Sequence, residues 1–302
     1  IKNYRLRDKK IKSPKILVVA GGWSDERDVS IMSGKNVFYC LKKNKFNVKF
    51  LDIKKNNIEQ ILDIKPDIIF NSLHGEFGED GGINSFAYKN KITITHSGAI
   101  SSALCFNKRL LKNFLKKELN ISTPKEIKFN KKIEYPVILK PNWGGSSKGI
   151  KFLNSKEDLK KNLFNHQNLI EEIIYGKELT VTVIENKNKI KALGVTEIEF
   201  ENKHYDYTAK YTKNKSLHFL PARIPKMKYN FLMDISKKIF SVCNCKGIAR
   251  IDYIMSNKNK KIFLLEINTH PGLTKISLAP EQANDKNFTY LNLLECIINS
   301  SL

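Results

Sequence analysis

No apolar run in this 302-residue chain approaches the ~18 residues that cross a bilayer, so no membrane-spanning helix is expected. Cysteine is sparse. Cys40, Cys105, Cys243, Cys245 and Cys296 are odd in number and lack the spacing of a metal site. They point to buried thiols in a reduced, cytoplasmic protein rather than a disulfide scaffold. Residues 1–12 are polar and basic, without the apolar segment of a secretory signal. Acidic residues are outnumbered, 30 against 53 basic, for a net charge of +23. Such a charge suggests a nucleic-acid partner, yet arginine is scarce. Only Arg5, Arg7, Arg27, Arg109, Arg223 and Arg250 are present, and every other basic residue is lysine. Groove-reading proteins favour the bidentate arginine fork. Here the lysines are scattered among Asn and Ile with no arginine-rich arm and no basic patch interleaved with aromatics. A compositional drift explains them, and no nucleic-acid partner is expected. Walker A, GxGxxG, HExxH and CxxC motifs are also missing.

What is present is a globular composition, 41% hydrophobic and 10% aromatic, in a length that suits two or three domains. Apolar periodicity alternates between strand and helix, the pattern of α/β layers. Strands are expected at 15–20, 48–53, 67–73 and 92–95, with helices at 30–43 and 58–64. These form a small doubly wound unit whose ligands belong at the carboxyl ends of its strands. The middle reads as one helix from about 100 to 119, a strand at 135–140, a glycine-rich loop and an extended stretch at 151–153. Another helix opens at Ser155-Lys156-Glu157-Asp158 with a capping-box-like pattern. Strands at 179–185 and 189–195, a helix at 229–243, a hairpin pairing 249–255 with 261–267 and a helix at 290–299 complete the chain.

Gly145-Ser146-Ser147-Lys148-Gly149 matches the GxSxG of a nucleophile elbow, but that elbow requires a helix at once and Ile150-Lys151-Phe152-Leu153 is extended. The same loop, from Pro141 to Gly149, reads better as a phosphate cover, since its glycines let backbone N–H groups approach an anion. Lys140 before it supplies a point charge. Arg250 and Asp252, like Glu266 and Asn268, are two residues apart on neighbouring strands, so each pair shares a face. Charges inside so apolar a hairpin need a reason, either Mg²⁺ ligation by hard oxygen donors or a structural pair such as Arg250 with Glu266. His74 follows a strand directly and opens the turn Gly75-Glu76-Phe77-Gly78-Glu79-Asp80-Gly81-Gly82, a place for ligand contact or for a turn-capping histidine. Glu26, at the end of the first strand's loop, is placed either to accept an ammonium group or to serve as a helix N-terminal acid.

In their order, these segments resemble the D-alanine–D-alanine ligases of the ATP-grasp superfamily. The carriers are GGWSDERDVSIMSG at 21–34, LHGEFGEDG at 73–81, KPNWGGSSKG at 140–149, YDYTAKY at 205–211, ARIDY at 249–253 and LLEINTHPGLTKISL at 264–278. The resemblance implies a doubly wound, Rossmann-like substrate domain over 1–96 and a two-part ATP-grasp fold over 97–170 and 171–302. It also implies ATP-dependent joining of two D-alanines through an acyl phosphate, in cytoplasmic peptidoglycan precursor synthesis, by a homodimer with no membrane partner. Mg²⁺, or Mn²⁺, would be carried by Asp252, Glu266 and Asn268. Lys108, Lys140 and Lys210 would contact phosphates, Ser147 would lie in the covering loop, and Glu171 and Glu178 would face the base and the ribose of ATP.

By the same resemblance, Glu26 binds the first ammonium beside His74, and Glu26, Ser146 and Tyr211 form a hydrogen-bonded set. Arg250 and the Gly272 N–H stabilise the tetrahedral oxyanion, while Ser277 and the Leu278 backbone hold the second carboxylate. Departures from the family pattern are Gly144 for Glu, Lys148 for a small apolar residue, Asn107 for Asp, His270 for Ser and Ile173 for an aromatic. They bear on rate and nucleotide affinity, not on the reaction class. Relatives that make D-alanyl–D-lactate lack the tyrosine matched by Tyr211, so YDYTAKY favours the dipeptide over D-lactate. D-serine remains an alternative second substrate.

Overall fold

The computed structural model describes residues 4–6, 9–11, 13–128, 133–145, 149–161, 167–186, 189–200 and 216–302. Strands β1 (Tyr4–Leu6) and β2 (Lys9–Ile11) form a short antiparallel hairpin. The first layered unit follows: β3 (Ile16–Gly21), α1 (Arg27–Lys43), β4 (Val48–Ile53), α2 (Gln60–Ile64), β5 (Ile68–Asn71), α3 (Gly82–Lys89) and β6 (Thr93–Ile94). Its strands are parallel in the order β4-β3-β5-β6. Both central strands are buried on both faces, which is why they read as unbroken apolar runs. Ile16, Val18, Ile68 and Phe70 pack with Val37 and Leu41 of α1, whereas Leu17, Val19 and Ile69 pack with Ile61 of α2 and Ile83 of α3. Helix α1 begins at Arg27, one turn before the expected residue 30, and Glu26 occupies its N-cap position.

The single helix expected over 100–119 is two, α4 (Ala99–Phe106) and α5 (Lys108–Leu119). Asn107 breaks it, with φ −87° and ψ 99°, and its side chain caps α5 by accepting the Leu110 N–H at 3.0 Å. Its backbone also bridges to Trp143, a distant contact that apolar spacing cannot reveal. Next come β7 (Val137–Pro141), β8 (Lys151–Leu153), α6 (Lys156–Lys161) and β9 (Asn168–Glu172), whose strands form an antiparallel sheet in the order β8-β7-β9. Strand β9 was not among the expected elements, and it runs across position 170/171.

The remaining elements are β10 (Gly176–Asn186), β11 (Lys189–Phe200), β12 (Ser216–Phe219), α7 (Lys226–Val242), β13 (Ile248–Ser256), β14 (Ile262–Asn268), α8 (Leu278–Asp285) and α9 (Tyr290–Asn299). The five strands are antiparallel in the order β12-β11-β10-β13-β14. Alternation splits this sheet into two unlike faces. Val181, Val183, Ile251 and Tyr253 pack against Leu111 and Leu115 of α5 and Leu232 and Phe240 of α7. Glu178, Arg250, Asp252 and Glu266 face a cavity on the other side. Helix α9 returns to the first unit, where Leu293, Leu294 and Ile297 join the core of the parallel sheet. Among the described residues, no helix is long and apolar enough to cross a membrane.

Candidate active site

A cavity of about 240 Å³ opens between the two antiparallel sheets. Lys108, Lys140, Glu171, Glu178, Arg250, Asp252, Glu266 and Leu278 line it, together with apolar side chains such as Ile138, Phe152, Leu179 and Ile254. Eight residues singled out from sequence, separated by up to 170 positions, therefore meet at one place.

The start of α5 organises one wall. The Lys108 and Arg109 N–H groups donate to the Asn142 backbone oxygen (3.0 Å) and side-chain oxygen (2.9 Å), latching the glycine-rich loop to the helix. The Lys108 ammonium donates to the Gly144 carbonyl and lies 3.5 Å from Glu266. Lys140, at the end of β7, is buried and pairs with Glu171 of β9, whose other oxygen accepts from Lys112 at 2.5 Å. Burial opposes the charge on Lys140, but the charge and hydrogen bond of Glu171 outweigh it and raise its pKa. Burial likewise opposes ionisation of Glu171, and the two lysine charges overcome it and hold its carboxyl below the usual range.

The opposite wall is the open face of the β13–β14 hairpin. Asp252 lies directly across from Glu266 and Arg250 across from Asn268, with a bulge just beyond Asp252. The fork of Arg250 engages Asp252, with Nε to Oδ1 at 3.0 Å and Nη2 to Oδ2 at 2.8 Å. The Thr180 hydroxyl also donates to Asp252 Oδ1 at 2.6 Å. Asn268 Oδ1 accepts the His270 N–H at 2.7 Å. Among the described residues, no three His, Cys, Asp or Glu side chains converge as a metal site. Asp252, Glu266 and Asn268 place hard oxygen donors on this hairpin, the donor chemistry that suits a divalent cation such as Mg²⁺.

At the adjoining end, Glu26 is buried at the head of α1, and its Oε2 would lie 3.3 Å from a Cβ on Gly75 and 3.2 Å from one on Gly145. Gly75, with φ +69°, also brings its turn against Ser24, whose hydroxyl donates to the His74 carbonyl at 2.6 Å. His74 is buried and its Nδ1 lies 3.2 Å from Glu79 Oε1, while its buried Nε2 makes no hydrogen bond among the described residues. Burial lowers the imidazole's pKa, but the hydrogen bond and charge of Glu79 and the charge of Glu26 raise it overall. Burial, the largest influence, raises the Glu79 carboxyl. The charges of Arg250 and Glu266 act weakly on this pair, the first lowering the His74 pKa and the second raising that of Glu79. Glu79 had not been singled out; the acid five residues after a strand-end histidine was its only sequence signal.

The loop after β14 closes the site. A Cβ on Gly272 would come within 2.9 Å of Ser277 Oγ, so a side chain there would require the Ser277 hydroxyl to move. Ser277 precedes α8, and its hydroxyl accepts from the Thr274 N–H at 3.1 Å rather than capping the helix. The Ser277 side chain thus makes no capping hydrogen bond to the first turn of α8. The Leu273 N–H donates to Ser33 Oγ of α1 at 3.2 Å, tying this loop to the first unit. Ser146, Ser147, Lys210 and Tyr211 lie outside the described residues.

Comparison with known proteins agrees with this arrangement. The family description "D-ala D-ala ligase C-terminus" matches residues 110–299. A D-alanine–D-alanine ligase of Rickettsia canadensis is 40% identical over 300 residues, covering 95% of this chain and 83% of that protein. Among solved structures, the VanG D-Ala:D-Ser ligase of Enterococcus faecalis superposes with a TM-score of 0.82 at 26% identity, covering 96% of this chain and all of that one. The ATP complex of the D-alanine–D-alanine ligase of Bacillus anthracis gives 0.79 at 28% identity, covering 96% and 97%. By sequence and fold, this chain belongs to the D-alanine–D-alanine ligase family.

Proposed function

We propose that this chain joins two D-alanines at the expense of ATP, through a D-alanyl phosphate, to supply D-alanyl-D-alanine for peptidoglycan synthesis. The observation that carries the reading is the cavity itself, with Lys108 and Lys140 on one wall and Arg250, Asp252 and Glu266 on the other. A carboxylate acylates poorly until its oxygen becomes a phosphate leaving group. Catalysis then depends on positioning and charge neutralisation more than on a protein nucleophile.

In this reading Glu26, beside His74, accepts the ammonium of the first D-alanine and leaves its carboxylate facing the phosphate wall. Lys108 and Lys140 take the ATP phosphates, with Lys210 and Ser147 joining from loops outside the described residues. Glu171 and Glu178 serve the adenosine end. Asp252, Glu266 and Asn268 would hold Mg²⁺ or Mn²⁺, which when bound neutralises phosphate charge. The first carboxylate attacks the γ-phosphorus, and ADP leaves. The second D-alanine, its carboxylate at Ser277 and the Leu278 N–H and its ammonium proton given up to solvent, then attacks the acyl carbon with its neutral amine, and a further N–H proton goes to the departing phosphate. Arg250 and the Gly272 N–H stabilise the oxyanion as the C–O bond to phosphate breaks. Ser146 and Tyr211 link the loops to Glu26. The working form in this reading is a cytoplasmic homodimer.

The test is phosphate release with ATP, Mg²⁺ and a panel of D-alanine, D-serine and D-lactate. Release that requires D-alanine and yields the dipeptide is the expected result. Release that is absent with D-alanine, or that needs D-serine or D-lactate as second substrate, removes the reading.

A further inference from the structure

Helix α5 carries a second buried lysine that the reaction does not use. Lys112 lies one turn beyond Lys108 and is 6% exposed, yet it sits in a helix whose other buried positions include Leu111 and Leu115. A lysine so enclosed needs a partner, and Lys112 has Glu171 Oε1 at 2.5 Å. Glu171, 1% exposed, is therefore held by two cations, Lys112 and Lys140. One carboxylate does not balance both. Burial and the neighbouring charge of Lys140 push Lys112 down to about 7.

The doubled pairing has a consequence for Lys140. If Lys140 turns to a phosphate, Glu171 loses a counterion, and a buried carboxylate left without one is strongly destabilising. Lys112 removes that obstacle, because its salt bridge to Glu171 comes from a different element and survives the move. We propose that Lys112 is a positioning residue that keeps Glu171 compensated while Lys140 passes from Glu171 to the nucleotide phosphates. It acts on nucleotide affinity through Glu171 and Lys140, without touching the nucleotide. The proposal rests on Lys140 being a phosphate ligand.

Calorimetric titration of the full chain with ADP and Mg²⁺ tests it. Lys112→Met leaves Glu171 paired with Lys140, so the fold is retained, and it should weaken ADP about tenfold or more. The KM for ATP should rise in step while kcat changes by less than about threefold. In a Glu171→Gln background, where Lys140 is already free of the carboxylate, the same substitution should change ADP affinity less than about twofold. Normal ADP binding by Lys112→Met, or an equal loss in both backgrounds, overturns the proposal. If Lys112→Met does not fold, Lys112→Arg keeps the charge and should bind ADP within about threefold of the parent, and a loss of about tenfold there overturns it too. Lys140→Met separates the underlying reading. Unchanged ADP affinity in that variant removes the phosphate assignment and the proposal with it, whereas weakened binding there with normal Lys112→Met removes only the role of Lys112.

Discussion

Two buried polar clusters meet the same penalty of burial on charge with opposite outcomes. In the cavity wall, Lys140 and Glu171 are both enclosed and both ionised, because each finds an opposite charge within hydrogen-bond reach. At the junction between the first unit and the loop after β14, His96 and His270 are equally enclosed but neutral. Their Nδ1 atoms meet the hydroxyls of Thr95 (2.9 Å) and Thr269 (3.0 Å), and their rings stack with centroids 4.7 Å apart. Burial lowers the pKa of His96 to about 3 and that of His270 well below its ordinary value. His74 differs from both: Glu79 gives it a carboxylate partner and raises its pKa, and its charge in turn helps lower the pKa of the other two. The lesson is that enclosure does not decide the charge of a side chain; the chemistry of its nearest partner does.

The comparison can be broken most severely on the charged side. Glu266→Gln removes one of the two carboxylates on the β13–β14 face and the partner of Lys108. Product formation should fall by about 10²–10³-fold or more, as when an electrostatic group acting on the transition state is lost. Unchanged turnover at saturating Mg²⁺ would mean that Glu266 is no metal ligand.

Arg250→Lys is the next largest change. It keeps the charge but loses the planar fork that engages both oxygens of Asp252. If Arg250 stabilises the developing oxyanion, kcat should drop by about 10²-fold with ATP affinity changed far less. A near-normal kcat with a lowered melting temperature would assign Arg250 to scaffolding of Asp252 alone.

The smallest effect belongs to the neutral side and appears in stability. Unfolded histidine titrates near 6.5 and buried His96 near 3, so the folded state binds fewer protons at mild acidity. The contribution of a neutral His96 is complete above about pH 6.5 and is lost as pH falls through 6.5 toward 3, reaching about 2 kcal/mol at pH 5. His96 has φ +70°, a conformation that asparagine tolerates, so His96→Asn removes the titration without forcing the backbone. Denaturant unfolding at pH 7 and pH 5 should show a flatter pH dependence in the variant. An unchanged slope would show that His96 takes up protons equally in the folded and unfolded states, so that burial does not keep it neutral.

Much of the site was legible because its residues sit on strands and at strand ends, where alternation assigns faces. Arg250, Asp252, Glu266 and Asn268 could be placed on a common face from spacing alone, and the structure pairs them directly across β13 and β14. What spacing could not supply was the partner of each group, such as Asp252 for the fork of Arg250, two residues along its own strand. Asn107 was hidden for a related reason. The apolar pattern continues through it, and only the bridge to Trp143 and the cap on Leu110 explain the break. Strand β9 ends in acids, Glu171 and Glu172, and only its pairing with β7 makes it a strand.

The sequence by itself determined the α/β alternation, the glycine-rich loop after Lys140, and the hard oxygen donors on one hairpin face, since these follow from local periodicity and short spacings. The tertiary structure alone decided that α9 completes the core of the first sheet, that α5 delivers Lys108 and Lys112 to different carboxylates, and that Glu171 balances two lysines while His96 and His270 stay neutral. The physical reason is range. Backbone periodicity is set by neighbours a few residues away, whereas desolvation and charge pairing depend on groups brought together from 59 positions apart in the Lys112–Glu171 bond and 240 in the Ser33–Leu273 bond.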